Sequence, residues 1–281
     1  MSNTSKFSTL CQPDNEKSCF ACCPPIRPEG YDHADYQKSL IKQLRKNTTS
    51  FQDKGPRQKT ITGFHCWGLG FLDRKGSLIG CLLHPAQNQG CDLRDLTGYG
   101  DKCRRELCQE AKVFSRLTPG STEFVLGLTR GLDSFAYSSS KRNPAFRLLR
   151  WGPKVIERLA LSGSHGLSYD EYHKRYGFLD HDLDPRRDAF SIELLLDRVN
   201  LDVLGQHNFL TEYKETLSHF RARHRQIATL PLDNRPFLHQ LDLPSSFISF
   251  LRYGLDWTRA LPSEAETVRQ EFEDLIAELT V

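Results

Sequence analysis

The feature that most constrains this chain is the placement of its cysteines. All nine lie between Cys11 and Cys108, and residues 109–281 contain none. Ordinary core cysteines would be scattered through both halves of the chain. In a compartment where thiols stay reduced, clustered cysteines hold a metal or carry out redox chemistry more often than they form disulfides. We therefore predict a metal or cluster site within the first 108 residues.

The N-terminal sequence and the charge indicate the compartment and the partners. The N-terminus is polar and lacks the apolar centre of a secretory signal, and there is no run of about 18 apolar residues that could cross a membrane. The net charge is only +3, and the basic stretch from His219 to Arg225 follows Glu212 and Glu215, as is typical of a solvated helix face. We expect a cytoplasmic protein with neither a membrane nor nucleic acid as a partner.

Before Pro119, hydrophobic spacing predicts a small irregular module. Residues 31–47 have helical spacing, and residues 48–60 are a polar loop. Two short apolar runs within residues 68–83 flank a Gly-containing turn and predict a β-hairpin. Asp101 is placed to cap a helix that carries Cys108 and continues to about Leu117.

After Pro119-Gly120, start signals and apolar periodicity predict helices almost without exception. The predicted helices are at about 121–135, 144–162, 168–176, 185–199, 208–228, 244–260 and 263–279, the last with a capping box that begins at Ser263. The predicted fold class is therefore mainly α. A small, irregular, cysteine-rich module with a β-hairpin (residues 1–118) precedes an all-α helical domain (residues 119–281).

Cysteine spacing limits which sulfurs can meet at one metal. Cys19 and Cys22 form a C-x2-C pair, a spacing that turns both sulfurs toward one site. Cys23 follows directly, so Cys22 and Cys23 serve two different metals or one of them is a reactive thiol. Cys103 and Cys108 are five residues apart, about 140° around a helix, so they share a site only if Cys103 precedes the first turn.

The order of these motifs resembles the YkgJ-like cysteine-cluster family, which is described as zinc- or iron-chelating and has the flagellin lysine N-methylases as relatives. The CxxCC knot is residues 19–23, and Cys66 precedes the Phe-Leu-Asp sequence of residues 71–73. The Cys-x-Ile-Tyr strand of the family corresponds to residues 81–85, and its Arg-Pro-x-x-Cys-Arg turn corresponds to residues 91–94. The similarity covers residues 19–94, about a quarter of the chain.

The resemblance implies a set of metal ligands. The family's ligands correspond to Cys19, Cys22, Cys23, Cys66, Cys81 and Cys91. Cys103 and Cys108 are additional, and the eight together would fill two four-sulfur sites and leave Cys11 over. The chain departs from the family in its longer loop before Cys91 and in His84, which replaces the usual Tyr. The predicted metal ligands are Cys19, Cys22, Cys23, Cys66, Cys81, Cys91, Cys103 and Cys108.

The spacing leaves the identity of the metal open. Zinc favours paired C-x2-C knuckles, and there is one such pair, whereas irregular cysteines beside proline fit an Fe–S cluster equally well. His65 and His84 are either ligands, donors to a cluster sulfur or ordinary turn histidines. Arg94 could offset the negative charge of the thiolates. The expected cofactor is therefore an Fe–S cluster or Zn²⁺.

Three functions are consistent with these patterns, and whether the protein is an enzyme stays open. The first is a metal-binding protein whose cysteine cluster is a structural or electron-transfer centre. The second, implied by the resemblance alone, is a protein-modifying transferase related to flagellin lysine N-methylase, although the sequence has no recognisable S-adenosylmethionine loop. The third is a scaffold in which zinc stabilises the module and the helical domain binds a protein partner.

Overall fold

The computed structural model describes residues 9–21, 23, 34–56, 66–98, 100–105, 107–161, 167–225 and 235–280. Within these ranges the chain is mainly α with one two-stranded antiparallel sheet, which confirms the predicted fold class. The strands are β1 (Leu69–Phe71) and β2 (Ile79–Cys81).

The helices of the first 150 residues are mostly short, apart from one long helix. They are α1 (Tyr36–Lys54), α2 (Gly100–Arg105), α3 (Gln109–Phe114), α4 (Pro119–Gly127), α5 (Ser134–Tyr137) and α6 (Pro144–Leu149). The remaining described helices are α7 (Pro153–Leu161), α8 (Tyr169–Tyr176), α9 (Phe178–His181), α10 (Pro185–Leu195), α11 (Leu201–Leu204), α12 (His207–Arg225), α13 (Ser245–Ser249) and α14 (Pro262–Leu279). A π-helical turn, Phe250–Gly254, follows α13 directly. None of the helices in these ranges combines the length and the apolar character that crossing a bilayer requires.

The chain divides into two compact units. The first comprises Met1–Leu117 and Thr129–Arg147, and the second comprises Thr118–Leu128 and Leu148–Val281. This division differs from the predicted one, residues 1–118 and 119–281, because the segment 129–147 packs with the cysteine-rich part of the chain.

Hydroxyl groups of α5 explain why this segment belongs to the first unit. The Ser134 hydroxyl accepts hydrogen bonds from the N–H groups of Ser18 and Ile79, both at 3.3 Å. The Tyr137 hydroxyl donates to the carbonyl of Leu10 at 3.0 Å. Ser18 in turn donates its hydroxyl to the carbonyl of Ile79. These bonds join the N-terminal segment, β2 and α5, which are far apart in sequence.

Helix α1 packs on the hairpin and extends further than predicted. Leu40 and Leu44 are buried against β1. The Asn47 amide donates to the carbonyl of Leu69 at 2.8 Å, and the Thr48 hydroxyl accepts a hydrogen bond from the N–H of Phe71 at 2.7 Å. The predicted loop at 48–60 is therefore wrong over residues 48–54, because these polar side chains bind the hairpin backbone from a helical position.

Four of the helices predicted for the second half are confirmed, namely those at about 168–176, 185–199, 208–228 and 263–279. The second ends at Leu195, and residues 226–228 of the third lie outside the described part of the chain. Three other predicted helices are interrupted. The one at 121–135 breaks around Gly131 and the one at 144–162 breaks at Gly152, where φ is 77° and 86° respectively. The one at 244–260 ends at Gly254. A residue with left-handed backbone angles cannot continue an α-helix. The glycines at positions 131 and 152, which interrupt the apolar pattern, are therefore the sequence signals for these two breaks.

The cap of α14 also differs from the predicted one. The helix begins at Pro262, so Ser263 lies inside it and does not cap it. The Glu264 carboxylate instead accepts a hydrogen bond from the N–H of Leu261 at 2.8 Å. Pro262 at the first helical position sets the start one residue earlier than the capping-box pattern indicated.

The core of the second unit is an aromatic cluster. Its phenylalanines come from α10, α12, α13, the π-helical turn and α14. The centroids of neighbouring rings lie between 4.5 and 5.9 Å apart in four pairs, Phe250–Phe272, Phe190–Phe247, Phe220–Phe272 and Phe190–Phe272. These rings are buried and hold the helices of the unit together without any contribution from cysteine.

Candidate metal centre

Three cysteines from separate segments form the first group of thiols. Burial raises the pKa of the Cys66 thiol, and the charge of Cys103 raises it further. Burial raises the pKa of Cys81 to about 12, with further contributions from the charges of Cys66 and Cys103. The charge of Cys103 therefore acts on both Cys66 and Cys81, and all three residues are half-buried.

The hairpin places two of these sulfurs beside backbone donors. Cys81 ends β2 and is paired with Leu69 of β1, just after Cys66. The N–H groups of Gly68 and Leu69 near Cys66, and that of Leu83 near Cys81, oppose the pKa increase caused by burial. Donors that favour the anionic sulfur are what a metal-bound thiolate requires.

Glycine is the residue type that fits at position 68. A Cβ built there would lie 2.6 Å from Cδ1 of the buried Leu83 and 3.7 Å from the Cys66 sulfur. The close approach of backbone and side chain explains why Gly68 follows Cys66 by two residues.

Arg94 supplies positive charge to the first group. Its guanidinium donates to both carboxylate oxygens of Asp92, at 2.7 and 2.6 Å. The hydrogen bonds to Asp92 raise the pKa of Arg94, and the charges of Cys81 and Cys103 raise it further. A fixed cation beside several thiols offsets the charge that builds up when they become thiolates.

A second group of cysteines, Cys11, Cys19 and Cys108, acts on Tyr137 through its charge. Burial raises the pKa of Tyr137, and the charges of Cys19, Cys11, Asp14 and Cys108 raise it further. The N–H of Cys19 donates to the carbonyl of Cys11 at 2.8 Å, which fixes the two residues side by side. Cys11, which the predicted pair of four-sulfur sites left over, therefore lies next to Cys19.

Lys17 brings a cation close to this second group. Its side chain is only 4% exposed, and its ammonium group lies 2.6 Å from Asp14 and 6.0 Å from the centroid of the Tyr137 ring. A lysine is rarely buried so completely unless it is paired. No local sequence signal marks this position, because Lys17 stands in a polar segment like any surface lysine.

A helix break assigns Cys103 and Cys108 to different groups. The single helix predicted from Asp101 to Leu117 is wrong, since α2 ends at Arg105 and α3 begins at Gln109. Cys108 is the N-cap of α3, and its sulfur accepts a hydrogen bond from the N–H of Ala111 at 3.3 Å. The angle of about 140° expected for one helix does not apply, because the two cysteines are in separate elements.

The other predicted site residues are placed differently. Cys91 is exposed, and its N–H donates to the carbonyl of Asn88 at 2.9 Å. Cys23 is half-buried and lines a cavity of about 600 Å³ together with Phe20 and Phe135. Cys22 and His65 lie outside the described residues.

His84 caps a short 3₁₀ turn. Its Nδ1 accepts a hydrogen bond from the N–H of Ala86 at 3.1 Å, so in the neutral ring the proton is on Nε2. Burial lowers the pKa of His84, and the charge of Arg94 lowers it further. In this orientation the neutral ring offers Nε2–H as a hydrogen-bond donor.

The described part of the chain contains no group of three or more His, Cys, Asp or Glu side chains close enough together to hold a metal ion as they stand. The eight described cysteines are present as thiols. The two groups of cysteines offer sulfur ligands in partly buried positions near backbone N–H donors. This chemistry fits zinc or an Fe–S cluster if the sulfurs move closer together when the metal binds. Comparisons with protein-family models, with curated proteins and with solved structures found no match for this chain.

Proposed function

We propose that the first unit is a metal-binding module in which cysteine thiolates hold an Fe–S cluster or zinc as a structural or electron-transfer centre. The observation that supports this proposal is the hairpin pairing that sets Cys81 opposite Leu69, three residues after Cys66, with the charge of Cys103 acting on both thiols. A thiol with a pKa of about 12 is almost fully protonated at neutral pH and is a poor nucleophile. A metal ion would remove that proton outright, which makes ligation the best use of such a thiol.

The same proposal extends to the cysteines around Tyr137. Cys11, Cys19 and Cys108 form a second set of three, and Lys17 offsets their charge as Arg94 does in the first set. Three thiolates leave a position to complete in a four-coordinate site. The remaining predicted ligands, Cys22, Cys23 and Cys91, are the candidates for those positions.

The residues have distinct roles under this proposal. The cysteines bind the metal, the N–H groups of Gly68, Leu69 and Leu83 stabilise the sulfur charge, and Arg94 offsets the remaining negative charge. When bound, an Fe–S cluster supplies one-electron transfer and zinc supplies a cross-link between distant segments. In either case the metal joins elements that the short hairpin and short helices hold only weakly by themselves.

Elemental analysis and an absorption spectrum of anaerobically purified protein test the proposal. We expect about two metal sites per chain, with broad absorption near 400 nm for Fe–S clusters and a colourless protein for zinc. Cys81→Ser should lose the metal of the first group and Cys108→Ser that of the second, so each variant is a control for the other. A total of less than about half an equivalent of zinc plus iron would reject the proposal.

A further inference from the structure

The second unit contains a polar cavity that the metal module does not involve. It has a volume of about 330 Å³ and lies between α10, α12 and the π-helical turn. Three arginines line it, Arg187, Arg221 and Arg225, together with Tyr253 and Asp256. This size is at the lower end of the range for small-molecule sites.

The charges at the base of the cavity are unbalanced. Asp188 is fully buried, and its carboxylate accepts hydrogen bonds from Arg187 at 3.0 and 3.1 Å and from Arg221 at 2.5 Å. The Asp188 carboxylate therefore pairs with two guanidinium groups, those of Arg187 and Arg221. Arg225 pairs with Asp256 at the rim. Among the described residues, the lining together with Asp188 keeps a net positive charge.

Arg221 has an unused donor. Its side chain is 19% exposed, and its buried Nε has no hydrogen-bond partner among the described residues. An unsatisfied buried donor on a charged group is costly. Burial lowers the pKa of Arg221, and the neighbouring charge of Arg187 contributes, yet a guanidinium stays charged at neutral pH.

Further cations surround the rim. The guanidinium groups of Arg186 and Arg252 lie 5.7 and 5.3 Å from the centroid of the half-exposed Tyr253 ring. Arg186 is paired with Asp184. Around the cavity, five arginines thus face three aspartates, Asp184, Asp188 and Asp256, so the field at its mouth attracts anions.

We propose that this cavity binds the phosphate group of a small molecule. Guanidinium groups bind phosphate oxygens through paired, charge-assisted hydrogen bonds, and the excess of five arginines over three aspartates around the cavity is balanced by a group with two negative charges. The volume exceeds that of a phosphate alone. The organic part of the ligand lies against the Tyr253 ring.

Thermal unfolding of the full chain with inorganic phosphate as the probe tests this site, at constant ionic strength set with chloride. We expect the melting temperature to rise with phosphate and to saturate, because a ligand that binds only the folded state stabilises it. Arg221→Lys keeps the charge next to Asp188 but removes Nε, and it should weaken phosphate binding about tenfold or more.

A second variant leaves the buried network intact. Ala222→Glu places a carboxylate on an exposed residue of the cavity lining, and it should abolish the phosphate effect. Thr211→Glu adds the same charge to an exposed position of α12 outside the lining, and it should keep the effect. The proposal is overturned if phosphate stabilises the wild-type chain no more than chloride does, or if Ala222→Glu responds to phosphate like Thr211→Glu.

Discussion

At the scale of single residues, His224 shows what burial does to a basic side chain. It is 2% exposed, its ring centroid lies 4.1 Å from that of Phe220, and its Nε2 lies 3.3 Å from the Glu271 carboxylate. Burial lowers the pKa of His224, the charge of Arg223 lowers it further, and Glu271 opposes both. The net effect is a lowered pKa, so the His224 ring is neutral in the folded protein at neutral pH.

This lowered pKa makes folding stability depend on pH. The unfolded chain takes up a proton at His224 near pH 6.5, whereas the folded chain does so only at lower pH. The contribution of neutral His224 to the free energy of unfolding is therefore complete above about pH 6.5. It is lost as the pH falls through the pKa of His224 in the folded chain. We expect the pH dependence of the free energy of unfolding between about pH 7.5 and 5.5 to become shallower in His224→Gln, measured by urea denaturation.

The exposed His219 in the same helix is a matched control for this prediction. Equal slopes in wild type and His224→Gln would show that the His224 proton does not contribute.

Gly68 is a second residue whose effect can be predicted. In Gly68→Ala the new methyl group would lie 2.6 Å from Cδ1 of Leu83, so this buried side chain must shift to make room. We expect the free energy of unfolding to fall by about 1–3 kcal/mol, together with weaker metal binding. Gly127→Ala is the control, since nothing lies within 4 Å of its Cβ position and alanine in a helix should stabilise by about 0.5–1 kcal/mol.

At the scale of elements, Cys108 has two separable tasks. Its sulfur caps α3 through the N–H of Ala111, and its thiolate is a ligand in the second cysteine group as we propose. Cys108→Ser should lose the metal but keep the cap, because a serine hydroxyl also accepts this bond. Cys108→Ala should lose both and be less stable than the serine variant by about 1 kcal/mol when both are metal-free. Equal metal-free stabilities would show that the cap contributes nothing.

The elements also show how far local sequence signals reach. The hairpin, α8, α10, α12 and α14 were predictable because apolar periodicity and capping residues act within a few neighbours. The extension of α1 was not, because Asn47 and Thr48 have their partners in β1, more than 20 residues away. The break between α2 and α3 contains neither Pro nor Gly, and the N-cap there is a cysteine, which the usual start signals omit.

At the scale of the whole molecule, the grouping of the cysteines depends on contacts between distant segments. The sequence indicated that the cysteines act together, because that follows from their distribution alone. It could not show that the charges of Cys11, Cys19 and Cys108 all act on Tyr137, because that requires α5 to return to the N-terminal segment through Ser134 and Tyr137. Those two residues stand in an ordinary helical pattern, and their long-range partners have no signature in sequence.

Removal of the metal should therefore affect the two units differently. The second unit has no cysteine and is held by the phenylalanine cluster around Phe250 and Phe272, whereas the first relies on a two-stranded hairpin and short helices. Two strands alone are marginally stable, so under the proposed function the metal would add a cross-link to the packing of α1 on the hairpin.

Hydrogen–deuterium exchange before and after chelation measures this difference. We expect amide protection to fall in β1 and β2 while that of α14 stays unchanged, because chelation removes ligand bonds only where there are cysteines. Cys81→Ser should reproduce the loss at the hairpin without a chelator. Unchanged protection of the hairpin in a demonstrably metal-free protein would mean that hydrophobic packing of Leu40 and Leu44 on β1 suffices to hold it, and the metal would then have no structural task.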